Sequence, residues 1–297
     1  PLRQLGVEVH DNDGFLPFDI CGPMHAATIE VDGSVSSQFI TGLLLSLPAA
    51  AGEYTLNVLR AVSTPYIDMT IDTARRFGVE ILHNGYTQFY IEGGQHYRPA
   101  DYGIEGDWSA AAPLLVAGAI AGEVTLHNVP LLSKQADTAI CTALERAGAE
   151  LIHEPDRITV RKRELRAFEF DATQCPDLFP PLAALAAACE GESVIVGTSR
   201  LAHKESDRAE TLREEYAKVG IEIDLSRHDT MRIRGGAIRP AVVTSHGDHR
   251  IAMSMAVSAL RAAGAVTIEN AEAVAKSYPG FFEDLERLRI RTKVHSS

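Results

Sequence analysis

Two lysine-or-arginine cations and a carboxylate fall within five residues at Lys204, Glu205 and Arg208. The run His203-Lys204-Glu205-Ser206-Asp207-Arg208 follows a strand-like stretch (192–197) and opens a helical one (208–219). On a helix, residues four apart share a face, so Lys204 and Arg208 would point the same way with Glu205 beside them. Cations and a carboxylate at a helix start suit an anionic substrate that also needs a proton moved. The plain alternative is a capped, solvated helix start carrying an i,i+4 ion pair. His203 fits that plain description, as do Asp207 and Glu210 as solvated helix charges.

The elements that would position this run repeat along the chain. Four Ala/Leu-rich segments each end in a glycine followed by a β-rich run, and the glycines Gly52, Gly122, Gly191 and Gly264 are 70, 69 and 73 residues apart. A glycine there fits a left-handed helix cap. Three of the segments are followed by a second helix, a strand and a short hairpin. Alternating helices and strands predict an α/β fold. The first helix of each repeat is apolar nearly all round and so predicts a buried position, with the charged second helices outside. A junction near Pro99–Gly103 divides the chain into 1–104 and 105–297.

Polar residues recur in register where helices should begin. The first helices start near Ser36-Ser37-Gln38, Asp107-Trp108-Ser109, Pro176-Asp177 and Asp248-His249-Arg250. The second start near Ser63-Thr64, Ser133-Lys134, Lys204-Glu205 and Lys276-Ser277. Asp107, Ser109 and Ser133 read as N-caps, and Trp108 as packing. Gln38, Arg208, Arg250 and Lys276 do not; for the three cations, a positive charge at a helix N-terminus opposes the macrodipole unless an anion lies between them. Asp177 precedes an apolar helix, where its proton affinity could be tuned. His249 reads equally as a satisfied polar histidine or a site residue.

Composition narrows the remaining classes. Twenty-eight basic against forty acidic residues give a net charge of −12, which argues against nucleic acid as a partner but not against a small anion held by local cations. The four cysteines have no metal-like or CxxC spacing and predict free thiols in a reducing cytoplasm. No apolar run is long enough for a membrane helix.

The ordered set Gly33-Ser34-Val35-Ser36-Ser37-Gln38-Phe39, Ser63-Thr64-Pro65-Tyr66-Ile67-Asp68, Pro176-Asp177, Lys204-Glu205-Ser206-Asp207-Arg208, Asp248-His249-Arg250-Ile251-Ala252-Met253 and Ala275-Lys276-Ser277-Tyr278-Pro279 resembles the 5-enolpyruvylshikimate-3-phosphate synthase family. The resemblance implies inside-out α/β domains built from βαβαββ units and closing over a cleft. It implies transfer of the carboxyvinyl group of phosphoenolpyruvate to the 5-hydroxyl of shikimate 3-phosphate, in the shikimate pathway to aromatic amino acids, with no metal or other cofactor. By motif, Ser36, Ser37, Ser63, Tyr66, Asp177 and Lys204 would hold shikimate 3-phosphate, and Gln38, Arg208, His249, Arg250 and Lys276 would hold phosphoenolpyruvate. Asp177 would take the proton from the hydroxyl, and Glu205 would serve proton transfer at the phosphoenolpyruvate carbons.

Two departures from the family pattern stand out. Arg200 occupies a position where the family often has Asn. The chain also opens late in the second unit of the first domain and ends within an incomplete third unit of the second, at Lys293–Ser297. The resemblance thus predicts an N-terminally shortened enzyme, monomeric if full length, whose 297-residue chain binds weakly and turns over little. Phosphate release by the purified chain measures this. Two other readings are a UDP-N-acetylglucosamine enolpyruvyl transferase and a non-catalytic repeat protein that binds without turnover.

Overall fold

The computed structural model describes residues 1–202, 204–290 and 292; His203 and the terminal Lys293–Ser297 run of the sequence reading lie outside them. The described chain divides into two compact units, Pro1–Gly103 and a second beginning at Ile104.

In the first unit, strands β1 (Glu8–Asn12) and β2 (Phe15–Cys21) form an antiparallel hairpin. Strands β3 (Ala27–Asp32), β4 (Glu53–Leu59), β5 (Leu82–Asn84) and β6 (Gln88–Glu92) form a sheet in the order β3-β4-β6-β5. Helix α1 (Gln38–Ser46) crosses between the parallel β3 and β4, and α2 (Thr64–Arg76) leads from β4 to β5. This is one βαβαββ unit, and α1 packs against α2.

The second unit repeats the motif. Helix α3 (Trp108–Ala121) precedes β7 (Glu123–His127), α4 (Ile140–Ala147), β8 (Glu150–Glu154) and β9 (Arg157–Arg161), which pair as β7-β9-β8. Strand β10 (Glu169–Asp171), helix α5 (Phe179–Ala188), β11 (Glu192–Val196), α6 (Arg208–Lys218), β12 (Glu222–Asp224) and β13 (Thr230–Arg234) follow, in the sheet order β10-β11-β13-β12. The parallel pair β14 (Ala241–Thr244) and β15 (Val266–Glu269) flanks α7 (His249–Ser258), and α8 (Phe281–Arg287) comes last.

Helices α3, α5 and α7 pack on one another in the interior, as their all-round apolarity requires. In α5 every residue from Phe179 to Ala187 is buried. Each large apolar side chain removed from water this way contributes about 1.5–3 kcal/mol. Close approach of α3 to its sheet depends on Gly118. A β-carbon there would come within 2.6 Å of Val160 Cγ1 and 2.9 Å of Val124 Cβ.

Helix α2 begins at Thr64 as expected, but the sequence reading set the later second helices too early. Residues 204–207 are irregular, and α6 begins at Arg208 with Asp207 as the cap accepting from Glu210 N. Asp207 is therefore a cap as well as a surface charge, and Lys204 and Arg208 do not share a helical face. Lys276 ends a 3-10 segment, Ala271–Lys276, instead of starting a helix. Ser109 does not cap either. Asp107 takes that role for α3, accepting from Ser109 N and Ala110 N.

A buried polar chain ties three interior elements together. Tyr216 of α6 lies 2.8 Å from Ser254 Oγ and 2.7 Å from Ser258 Oγ, both on α7. Ser254 donates in turn to the Pro180 carbonyl of α5 at 2.6 Å. A hydrogen bond of this kind contributes about 1 kcal/mol net, and stranding a buried partner costs about 1–3 kcal/mol. Tyr216→Phe is expected to destabilise the fold by about 1–3 kcal/mol in urea unfolding, with the m-value unchanged.

Candidate functional site

Three helices of the second unit, α5, α6 and α7, start near one another, and the charged residues before and at those starts meet there. Asp177 sits in the 3-10 turn Pro176–Leu178 that leads into α5. Arg208 is the first residue of α6, and His249 and Arg250 are the first two of α7. Lys204 and Glu205 come from the irregular segment before α6, and Lys276 from the end of the 3-10 segment Ala271–Lys276.

Arg208 is the hub. Its side chain has 0% exposure, yet it carries a full charge. Its Nε donates to Asp248 Oδ2 at 2.9 Å, its NH1 to Asp177 Oδ1 at 2.9 Å and its NH2 to Glu205 Oε2 at 2.8 Å. A planar guanidinium satisfies three carboxylates at fixed angles, which an ammonium group cannot do. Burial alone would weaken the guanidinium's hold on its proton, but Asp248 and Asp177 outweigh burial and raise its pKa.

Asp177 is shared by three cations. Lys204 Nζ lies 3.3 Å from Oδ1, alongside Arg208, and Arg250 NH2 lies 3.2 Å from Oδ2. Burial pushes the carboxyl upward, but Arg250, Lys204 and Arg208 together hold it far below the ordinary aspartate range. The sequence reading expected a carboxylate tuned by apolar surroundings. The cations set its proton affinity instead. Glu205, at the exposed rim, accepts from Lys276 Nζ at 2.8 Å; burial raises its pKa, but Lys276 and Arg208 lower it to about 2.

The cluster thus holds four cations (Lys204, Arg208, Arg250, Lys276) and three carboxylates (Asp177, Glu205, Asp248), an excess of one positive charge in a chain of net charge −12. Arg200 lies close enough to feel Asp177, while burial lowers its pKa. His249 is buried, with Nδ1 3.9 Å from Asp248 Oδ1. Burial first, and Arg250 second, push its pKa below the usual value, so the imidazole is neutral at pH 7.

Three participants were missed in the sequence. Asp248 is wholly buried, pairs with Arg208, accepts from Ser206 Oγ at 3.2 Å and caps α7 through Arg250 N at 2.9 Å. An acid before a helix start reads as a cap, and nothing in the sequence says that the same carboxylate neutralises a buried arginine 40 residues away. Ser109 accepts from Arg250 NH2 at 3.2 Å and donates to the buried Asp137.

In the first unit, the remaining candidates lie at two helix starts. Ser36 Oγ accepts from Gln38 N at 3.2 Å, Ser37 is buried at the cap position of α1, and Gln38 is exposed. Ser63 is buried in a left-handed conformation (φ 52°) before α2, and Tyr66 N donates to its carbonyl at 3.1 Å. A left-handed serine is an uncommon conformation of a kind that gathers at binding sites.

Among the described residues, one group has metal-like proximity: Glu214, Glu215 and His246. Both oxygens of Glu215 are already engaged by Lys218, His246 and the Thr244 amide. No described helix is long and apolar enough to cross a membrane.

The EPSP synthase (3-phosphoshikimate 1-carboxyvinyltransferase) family model matches residues 1–285. The chain belongs to the EPSP synthase family. It is 42% identical over 288 residues to the 3-phosphoshikimate 1-carboxyvinyltransferase of Thermococcus kodakarensis, covering 97% of this chain and 70% of that protein. The enzymes of that name from Aeropyrum pernix and Clostridium novyi are 39% and 37% identical, over 98% and 97% of this chain and 68% and 66% of their own length. The chain therefore spans about two thirds of the EPSP synthases it matches. The EPSP synthase structure from Acinetobacter baumannii superposes with a TM-score of 0.80 at 28% identity, over 96% of this chain and 68% of that one. An enolpyruvyl transferase from Streptomyces tendae gives 0.75 at 21% identity, over 97% and 69%, which speaks to the fold alone. The architecture is the inside-out α/β fold of these EPSP synthases and enolpyruvyl transferases.

Because Glu205 is depressed in the folded state, its pairing stabilises the fold above the unfolded glutamate value of 4.5 and is lost as pH falls toward about 2; Asp177, depressed further, loses its contribution only below the unfolded aspartate value of 3.8. Acid unfolding of Glu205→Gln is expected to be less steep than wild type between pH 4.5 and about 2, measured by circular dichroism. Asp248→Ala leaves Arg208 buried without its main partner and is expected to cost about 3–5 kcal/mol in denaturant unfolding.

Proposed function

We propose that this chain carries the second-unit half of an EPSP synthase site, transferring the carboxyvinyl group of phosphoenolpyruvate to the 5-hydroxyl of shikimate 3-phosphate with release of phosphate. The observation that carries the reading is the guanidinium of Arg208 lying between Asp177 and Glu205. It sets two carboxylates apart, each beside a further cation. An EPSP synthase needs such a pair. One carboxylate takes the proton of the attacking hydroxyl, and the other serves the methylene carbon that gains a proton on addition and loses one on elimination.

Arg208, Arg250 and Lys276 are assigned to the phosphate and carboxylate of phosphoenolpyruvate, with Gln38 and the neutral His249. Ser36, Ser37, Ser63, Tyr66 and Lys204 are assigned to shikimate 3-phosphate. The hydroxyl oxygen bonds to C2 of phosphoenolpyruvate, C3 gains a proton, and the adduct then loses phosphate and a proton from C3. Without ligand, Asp177 is a poor base because three cations hold its charge. An incoming phosphate that draws Arg250 and Lys204 away would raise its proton affinity. Asp177 would thus gain basicity when substrates are bound, and the same cations would steady charge in the transition state.

No metal or organic cofactor is assigned to this site. The relatives' shared name favours shikimate 3-phosphate over UDP-N-acetylglucosamine. The paired carboxylates favour a transferase over a protein that only binds. Since the chain spans about two thirds of its relatives, binding is the direct readout.

Calorimetric titration of phosphoenolpyruvate in the presence of shikimate 3-phosphate tests the assignment. Arg250→Ala and Lys276→Ala are each expected to raise Kd about tenfold or more, the loss of one charge-assisted hydrogen bond. Asp177→Asn removes a competing anion and is expected to bind phosphoenolpyruvate no more weakly than wild type. Wild-type affinity in both cation variants, or preferential binding of UDP-N-acetylglucosamine, would overturn the assignment.

A further inference from the structure

The turn that launches α7 is held from behind by α6. Glu215 lies one residue before Tyr216, its side chain 1% exposed, on the same helix that begins with Arg208. Its Oε2 accepts from the Thr244 amide at 2.9 Å, and its Oε1 lies 2.7 Å from His246 Nε2. Lys218 Nζ closes the set at 2.8 and 2.9 Å. Burial raises the pKa of Glu215, but Lys218, His246 and the Thr244 amide lower it, so the carboxylate is ionised and the imidazole nitrogen donates. Every lone-pair direction of this buried carboxylate is used, and two of the bonds go to one five-residue stretch.

That stretch, Thr244–Asp248, is unusual backbone. His246 and Gly247 have φ of 53° and 72°, and a left-handed histidine costs free energy unless its surroundings hold it. The turn closes on itself through Asp248 N to Ser245 O at 2.9 Å and Gly247 N to Ser245 Oγ at 3.1 Å. It ends on Asp248, which binds Arg208 and caps α7 ahead of His249 and Arg250. Two bridges therefore join α6 to the start of α7. Arg208–Asp248 lies in the site, and Glu215 with His246 and the Thr244 amide lies about two helical turns away.

We infer that Glu215 is a positioning residue: through the Thr244–Asp248 turn it fixes Asp248, and through Asp248 it sets the Arg208 guanidinium and the start of α7. The side chain touches none of the reacting groups proposed above. Without it, the turn keeps its internal bonds but loses its attachment to α6. Asp248 then samples positions that break the Nε contact of Arg208. The part of this inference that concerns phosphoenolpyruvate rests on the proposed function; the part that concerns Arg208 does not.

Two readouts on the full chain test it, with Tyr216→Phe as the control on the adjacent residue. In ligand-free protein, the Arg208 Nε–H, bonded to a wholly buried carboxylate, should give a slowly exchanging NMR signal. Glu215→Ala is expected to speed its exchange at least tenfold beyond what its own loss of unfolding stability accounts for, whereas Tyr216→Phe speeds it no more than its loss of unfolding stability accounts for. Glu215→Gln, whose amide oxygen still accepts from Thr244, is expected to return it to within threefold of wild type. His246→Ala removes one of the two attachments and should give about a threefold effect, which serves if Glu215→Ala does not fold. In titrations, Glu215→Ala should raise the Kd of phosphoenolpyruvate about tenfold and leave that of shikimate 3-phosphate within twofold. An Arg208 signal that exchanges as in wild type in both Glu215→Ala and His246→Ala would overturn the inference. So would equal weakening of both ligands, or no rescue by glutamine. Absence of phosphoenolpyruvate binding in wild type would sink the proposed function and leave the Arg208 readout to decide this one.

Discussion

A fully buried guanidinium is the constraint on which the second unit's site depends. Arg208 sits where water cannot solvate it, and desolvating such a charge costs several kcal/mol unless carboxylates surround it. Asp248, Asp177 and Glu205 do so, from three separate parts of the sequence. Each must be held to within a few tenths of an ångström, so α5, α6 and α7 cannot slide relative to one another. Tyr216, Ser254 and Ser258 secure the same helices farther into the core. Stability and site geometry are therefore not separable here. The hydrogen bonds that satisfy the buried charge are the ones that aim the carboxylates.

On the proposed function, the same arrangement would let so acidic a chain receive anions. Lys204, Arg250 and Lys276 pair with Asp177 and Glu205, which on the proposed function would stand in for the negative charges of a ligand. Binding then exchanges one set of charge-assisted bonds for another, and affinity is the difference between them. The arrangement also couples binding to basicity, because each cation drawn toward a ligand returns proton affinity to a carboxylate.

Much of this was legible in the sequence. The glycine spacing and the Ala/Leu-rich runs predicted repeated α/β units with buried first helices, and α3, α5 and α7 are so buried, whereas α1 leaves Phe39 and Leu45 exposed. Lys204, Arg208, Arg250 and Lys276 were singled out because cations at helix starts oppose the dipole and need an anion, and Glu205 because a carboxylate beside them could move a proton. Local detail was less accessible. Lys204 and Glu205 are good helix formers, yet they run irregular because Ser206 and Asp207 are not, and Asp207 caps α6 only from Arg208 onward. Lys276 closes a 3-10 segment that looks like a helix start in sequence. Asp248 and Glu215 were missed for a shared reason. An acid before a helix or within one is ordinary, and only tertiary packing turns it into the partner of a buried cation or a left-handed turn.

The central claim is that Arg208 with Asp248 forms a fixed base while Arg250 and Lys276 are exchangeable anion ligands. A crystal structure of this chain with phosphoenolpyruvate and shikimate 3-phosphate tests it most directly. The account predicts that Arg250 leaves Asp177 and Lys276 leaves Glu205 to bind phosphoenolpyruvate oxygens, while the Arg208 Nε to Asp248 contact stays near 2.9 Å. Ligand bound away from these cations, or bound with the Arg250–Asp177 and Lys276–Glu205 pairs intact, would contradict it.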